Sequence, residues 1–224
     1  IQTIKGSVKI DDAYVVGVWY GDGHKNTARY TKPDEVIAEK IKSLGWDLSE
    51  ASDNGSRTIY GFKEKLREVK ADLMKEGLPE NFLAWDFDSR VELLRGLMDT
   101  DGTCSKFGFS EFTTAIPELA EDVQLLVRSL GGKTNIRIKE KTFYTSEDGD
   151  RVYCKPAYRL GVTTTFNPFS LPRKAKRWHT PTQDRYLYRF IDKIEEHSFD
   201  ESICFQVEAE DRLYLLGESL IATH

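Results

Sequence analysis

Asp22 and Asp101 are the residues whose placement calls most strongly for chemistry. Each stands five residues after a glycine inside an apolar run, Gly17 in Ala13–Tyr20 (AYVVGVWY) and Gly96 in Val91–Met98 (VELLRGLM), and each is followed directly by glycine. An internal glycine weakens a helix by roughly 0.8–1 kcal/mol and is useful where a second backbone must come close. An aspartate at a helix C-terminus faces the negative pole, which is unfavourable by about 0.3–1 kcal/mol. If both runs are helices packed through their glycines, the two acids emerge side by side. Carboxylates about 4 Å apart repel by roughly 4 kcal/mol at an effective dielectric of about 20. One of them then takes up a proton, or a cation lies between them. A hard divalent ion such as Mg²⁺, which takes oxygen ligands and keeps several waters, suits such a pair. Taken singly, each Asp-Gly also reads as an ordinary turn closing a buried helix.

The two runs are 79 residues apart, a spacing that fits a duplicated half-domain. The intervening chain predicts a helix over Pro33–Leu44, with Val36, Ile37, Ile41 and Leu44 on one side. A hairpin follows, turning at Asn54-Gly55 and returning over Thr58–Phe62, and then a helix over Phe62–Met74. The second copy predicts a strand over Phe107–Thr114 and a helix over Pro117–Leu130. A long hairpin over Thr134–Tyr144 and Arg151–Thr164 and a last helix over Thr182–Glu196 complete it. Helix, strands, helix, strands, helix, occurring twice, is an α+β plan with local antiparallel pairing. It divides the chain into a linker over residues 1–10, half-domains over 11–90 and 91–197, and a terminal segment over 198–224. That last segment is β-prone and too short to bury a core of its own.

The 224 residues are 39% hydrophobic and 12% aromatic, enough for a core, and hold no apolar run long enough to span a membrane. Cys104, Cys154 and Cys204 lie fifty residues apart with no CxxC pair, which excludes a disulfide framework and points to a reducing cytoplasm. The net charge of −5 is unevenly placed. Lys133–Arg177 holds eleven Lys/Arg against four Asp/Glu, while Asp192–Glu218 holds nine acids against two bases. Two surfaces with different partners fit that division, as do two merely solvated faces.

VVGVWYGDG and LRGLMDTDG resemble the two copies of the LAGLIDADG motif of homing endonucleases. The longer AYVVGVWYGDG and LLRGLMDTDG are similar to the forms found in endonucleases embedded in inteins. LPENFLAWDFDSRVELLRGLMDTDG resembles that family's run into its second motif, and NPFSLPRKAKRW the basic segment after its last hairpin. FQVEAEDRLYLLGESLIATH is similar to the C-terminal splicing region of an intein.

The resemblance implies two pseudo-symmetric αββαββα half-domains whose saddle-shaped antiparallel sheets sit on DNA, followed by a β segment from a splicing domain. It places metal binding on Asp22 and Asp101, with Gly21 and Thr100 beside them, and one catalytic lysine per half on Lys75 and Lys174. Asp99, matched by Tyr20 in the first copy, receives a structural or helix-ending role. The implied activity is hydrolysis of both strands of a long specific target by a monomer using Mg²⁺, with Mn²⁺ or Ca²⁺ as substitutes for binding. The expected DNA-reading residues are Lys25, Arg29 and Arg57 in the first half and Lys133, Arg137, Lys139, Lys141, Arg151, Lys155 and Arg159 in the second. Arg137, Lys139 and Lys141 alternate as residues on one face of a strand do. His224 resembles an intein's penultimate histidine, and Arg212 stands where many inteins carry a histidine. The chain begins Ile1-Gln2 and stops at His224, so the splicing residues normally found at both ends are expected on a deleted or separate N-terminal half and a missing asparagine. Two other readings remain: a DNA-binding relative that no longer cuts, and part of a split intein.

Overall fold

Val15, Val16, Val18, Trp19 and Tyr20 make α1 (Ala13–Asp22) apolar all round, and a helix of that kind must lie inside. In the computed structural model every residue from Ala13 to Tyr20 is buried. The described residues are 3–32, 34–146, 149–181, 193–196, 201, 206–208, 212–217 and 220–223. After α1 the chain turns back through β1 (Arg29–Thr31), then forms α2 (Glu35–Ser43), β2 (Ser56–Thr58) and α3 (Phe62–Glu68). The Asp34 carboxylate caps α2 by accepting from Val36 N, and Ile37, Ala38 and Ile41 carry its inner face into the core. β1 and β2 pair antiparallel, flanked by bridges from Gly23 to Tyr30 and from Leu48 to Ile59.

The second half begins with α4 (Phe87–Thr100), followed by β3 (Gly102–Cys104), β4 (Ser110–Thr114) and α5 (Pro117–Ser129). It continues with β5 (Lys133–Lys139), the ribbon of β6 (Thr142–Thr145) and β7 (Arg151–Cys154), then β8 (Ala157–Thr163) and α6 (Pro172–Ala175). Its sheet runs β3-β4-β8-β5, antiparallel throughout. The first half has the same order in miniature: Gly23, β1, β2, Leu48. With the bridged Gly23 and Leu48 segments counted as strands the first half runs αββαββα, the second half repeats that order with the β6–β7 ribbon inserted, and the fold is α+β. Phe112, Leu160 and Val162 turn to the core with Leu119, Val123 and Leu126 of α5, which leaves Glu111, Arg137 and Arg159 on the open face.

The two halves join where α1 crosses α4. A Cβ on Gly17 would overlap the Leu93 carbonyl, and one on Gly96 would overlap the Tyr14 carbonyl and Val18 N. Only glycines let the two backbones approach this closely.

Residues 3–10, expected as a linker, run along the body. Ile4 N donates to Ser129 O, Ser7 N and Val8 N to Ala84 O, and Ile10 N to Ser89 Oγ. The guanidinium of Arg90, fully buried, donates to the Trp85, Ser129 and Ile4 carbonyls. A buried cation is tolerable when its donors are satisfied in this way.

Several elements differ from the sequence expectation. The helix from Phe62 ends at Glu68, because Lys70 is left-handed and the Asp72 carboxylate then accepts Met74 N and Glu76 N, competing with helix continuation. The return strand is Ser56–Thr58, cut short by left-handed Gly61, which starts α3. Phe107 and Gly108 form a turn around Ser105 rather than strand. The long hairpin breaks at Glu140-Lys141 and Lys155-Pro156, so Lys141 lies between strands. Of the expected helix over Thr182–Glu196, residues 182–192 lie outside the described residues, and Lys193–Glu196 are not helical. Within the terminal segment, β9 (Tyr214–Leu216) and β10 (Ile221–Thr223) pair as a hairpin, and His224 lies outside the described residues. Among the described residues no helix is long and apolar enough to cross a membrane.

Candidate active site at the paired helix ends

Because α1 and α4 touch through glycine, their C-termini open on the same spot. Asp22 is the last residue of α1 and Asp101 caps α4. Burial first, and then the charge of Asp22, push the Asp101 carboxyl up to about 6, with Lys32, Lys75 and Lys174 pulling it back. The two carboxylates therefore act on each other electrostatically, as convergence of the helices requires.

Each helix end is closed by a buried lysine from a distant segment. Lys75 Nζ donates to Gly21 O at 3.0 Å and Gly23 O at 2.7 Å. Lys174 Nζ donates to Met98 O at 2.8 Å, Asp99 O at 2.7 Å, Thr100 O at 3.4 Å and Gly102 O at 2.5 Å. Shared acceptors stand 79 residues apart, Gly21 with Thr100 and Gly23 with Gly102. Orphan carbonyls and the negative helix pole thus receive a positive charge at each end, offsetting the cost of an aspartate there. Burial is the largest influence on both lysines and lowers each to about 8, with nearby acids working the other way.

The segments that deliver these lysines are pinned by the residues two places before each acid. Tyr20 Oη accepts Asp72 N at 3.0 Å. Asp99, fully buried, accepts Ser170 N and Leu171 N at 3.0 Å on Oδ1, and Tyr14 Oη donates to its Oδ2 at 3.0 Å. Lys75 itself is left-handed, at φ 59°, an uncommon conformation for a side-chain-bearing residue held by the turn from Asp72.

One site residue escapes the motif: Lys32, just after β1. Its Nζ lies 2.8 Å from Asp22 Oδ2 and donates to Thr100 O at 3.0 Å, joining the two helix ends. The contact to Asp22 is an ion pair without hydrogen-bond geometry, so the buried Oδ2 atom has no hydrogen-bond donor. The signal that could have found Lys32 is topological: a strand paired beside Gly23 must end next to Asp22.

Among the described residues no three His, Cys, Asp or Glu side chains gather as a metal cage. The donor set for a cation is two carboxylates, with carbonyls and water. Asp22 Oδ2, buried with charge but no hydrogen bond, fits an oxygen-seeking divalent ion that keeps several waters. The Gly21 and Thr100 carbonyls are at the same place, each already accepting from a lysine.

The cationic residues expected to read DNA fall into two groups. Arg137 and Arg159 face each other in register on β5 and β8, and Arg159 Nη2 and Nε grip Glu111 Oε1 at 2.6 and 2.9 Å. Lys139 shares that open face, while Lys133 starts β5. Phe107, Phe109, Asn135, Trp178 and His179 help to line a cleft of about 450 Å³ around this pair. Arg151 and Lys155 are exposed at the ribbon, with Arg151 over the Phe143 ring. In the first half Lys25 and Arg29 are exposed, but Arg57 is buried, its Nη2 2.6 Å from Glu35 Oε1. Arg57 is thus tied to the side of α2.

Residues 88–195 match the family model of the LAGLIDADG-like domain. Over 214 residues, 94% of this chain, the sequence is 29% identical to the replicative DNA helicase DnaB of Mycobacterium intracellulare. The match takes up 34% of that protein, so the chain spans about a third of its length. Among solved structures, I-DmoI in complex with DNA and Mn is similar at 14% identity and a TM-score of 0.38, over 68% of this chain and 89% of that one. Mesophilic variants of the homing endonuclease I-DmoI are similar at 15% identity and a TM-score of 0.40, over 75% and 92%. The family match starts inside α4 and takes in the acid, the sheet and the Lys174 segment; over residues 88–195 this chain is similar to the LAGLIDADG-like domain.

Proposed function

We propose that the chain is a divalent-metal-dependent, site-specific DNA endonuclease of the LAGLIDADG homing type. The observation that carries this reading is the pair of helix ends: two aspartates brought together by glycine-mediated packing, each beside a buried lysine. Asp22 and Asp101 would hold the ion, with Gly21 and Thr100 supplying the adjacent carbonyls. A divalent ion bound there supplies Lewis acidity, favouring an activated water and neutralising the charge that builds on the scissile phosphate.

The protein's own groups do the rest. The Asp101 carboxyl, held near 6, carries a proton below that pH and a full charge above it. Lys75 and Lys174, near 8, remain mostly ammonium at neutral pH and set positive charge beside the carboxylates, where phosphate charge increases during attack. Arg137, Arg159 and Lys139 on the open sheet face would contact DNA, since a two-stranded ribbon fits the major groove. Such binding weakens steeply with salt, whatever the overall charge.

The likeness to a stretch of a replicative DNA helicase supports an intein-borne origin, with residues 198–224 as splicing-domain chain. The first DNA to test is therefore an uninterrupted DnaB gene. Linearisation of a plasmid carrying that gene in Mg²⁺, lost in EDTA, is the expected result. Binding without any nicking in Mg²⁺ or Mn²⁺ would instead identify a DNA-binding relative that no longer cuts.

A further inference from the structure

Lys32 has no twin. Gly23 pairs with Tyr30 as Gly102 pairs with Phe112, which sets Lys32 opposite Thr114, an uncharged residue. The duplicated machinery of acid and capping lysine therefore does not require it. Its contacts are nonetheless those of an inter-helix clamp: Asp22 Oδ2 at 2.8 Å and Thr100 O at 3.0 Å. These oxygens belong to the group assigned above to a divalent ion.

Lys32 also differs from its neighbours in how it is held. Lys75 and Lys174 are sealed, at 7% and 6% exposure, on two and four carbonyls. The Lys32 side chain is 21% exposed, enters from the strand end, and meets Asp22 through charge alone. A lysine with a solvent path and four rotatable carbons can leave, whereas the other two cannot without unsatisfying buried carbonyls. Without a positive charge here, Asp22 and Asp101 would repel each other across the helix interface.

We propose that the Lys32 ammonium is a built-in stand-in for the divalent cation: it occupies Asp22 and the Thr100 carbonyl in the DNA-free protein and swings out when a metal ion enters. This rests on the metal site proposed above and adds to it a competitor encoded in the first half alone. Lys32 is a positioning residue in this scheme, because it sets the state of Asp22 without touching substrate.

The test is Mn²⁺ binding to the whole chain without DNA, measured by electron paramagnetic resonance of free Mn²⁺. The proteins are wild type, Lys32→Met, Lys32→Gln and Asp22→Asn. Removing the competitor is expected to tighten Mn²⁺ binding about tenfold or more in both Lys32 variants. Their metal-free melting midpoints should fall below wild type, and Mn²⁺ should raise them by more than it raises wild type. Equal or weaker Mn²⁺ binding in both variants, with wild type binding and Asp22→Asn not, overturns the stand-in and leaves the metal site intact. Absence of Mn²⁺ from wild type and both variants, even with DNA added, overturns the site and the stand-in with it.

Discussion

At the end of α1, Tyr20 accepts the backbone N–H of Asp72, three residues before Lys75. At the end of α4, Asp99 accepts that of Leu171, three residues before Lys174. The same place in each copy thus pins the same backbone group and sends a lysine to the same pair of carbonyls. It does so once with a phenol oxygen and once with a carboxylate. What the two halves share is a position for an acceptor and a position for an ammonium. The difference lies in strength: Asp99 takes two backbone donors and the Tyr14 hydroxyl, and Lys174 covers twice as many carbonyls as Lys75. The second half-site is the more firmly built, and the first is open enough to admit Lys32.

The strongest way to break this comparison is to remove the acids one at a time. Asp22→Asn and Asp101→Asn should each reduce plasmid linearisation by roughly 10²-fold or more, since each removes transition-state charge stabilisation at its own helix end. A supercoiled plasmid resolves nicked from linear product and shows whether one acid serves one strand. Full linearisation by either variant would refute a shared site.

The next largest effect is on stability. Lys174→Met takes the ammonium from the Met98, Asp99 and Gly102 carbonyls, while Thr100 O keeps Lys32, and Lys75→Met takes it from two carbonyls, so the former should cost about 1 kcal/mol more. For a chain of this size that is a melting midpoint lower by roughly 2–4 °C than in Lys75→Met. Equal midpoints would mean that the two caps bear equal weight despite their different contacts.

The sequence reveals the repeat more readily than it reveals what the repeat does. Gly17 and Gly96 identify the helix crossing, because a glycine within an apolar helix has few other uses, and the aspartates follow from it. Lys174 and Lys75 are legible only through a resemblance. Both lie far along the chain from the carbonyls they cap, and no local pattern reports such a contact. Lys32 is invisible because its partners are fixed by strand pairing. Arg57 misleads for the opposite reason: a cation on a strand reads as surface until Glu35 of the neighbouring helix is seen beside it. The reduced sheet of the first half has the same origin, since Gly61 and Asp72 end elements by local turns that outweigh hydrophobic period.

A smaller effect sharpens the comparison of acceptors. Tyr20→Phe removes one hydrogen bond to the Asp72 amide and should cost about 1 kcal/mol. Asp99→Leu orphans two backbone amides and the buried Tyr14 hydroxyl, and should cost more, about 2–3 kcal/mol. Both should slow cleavage through the lysine they position. A chemical-denaturation series gives the stability ranking, and single-turnover cleavage at saturating metal gives the kinetic one.

The smallest effect separates the helix starts rather than their ends. Asp86 begins α4 with its carboxylate accepting Ser89 N at 2.8 Å. Asp12, at the same place before α1, makes no cap and instead accepts Trp46 Nε1 at 2.8 Å. The Ser89 side chain, then its backbone N–H, hold the Asp86 carboxyl below its usual range. A group depressed on folding adds stability that is complete above its unfolded pKa, about 3.9, and is lost as pH falls through the folded value. Asp86→Ala should therefore cost about 1 kcal/mol at neutral pH, and its deficit against wild type should shrink as the pH drops below about 4. Asp86→Asn keeps a capping oxygen without a titrating one, so its stability should stay close to wild type at pH 7 and lack the acid-side loss that Asp86 contributes. An acid limb unchanged by Asp86→Asn would place that proton uptake elsewhere and leave the α4 cap a neutral hydrogen bond in its effect.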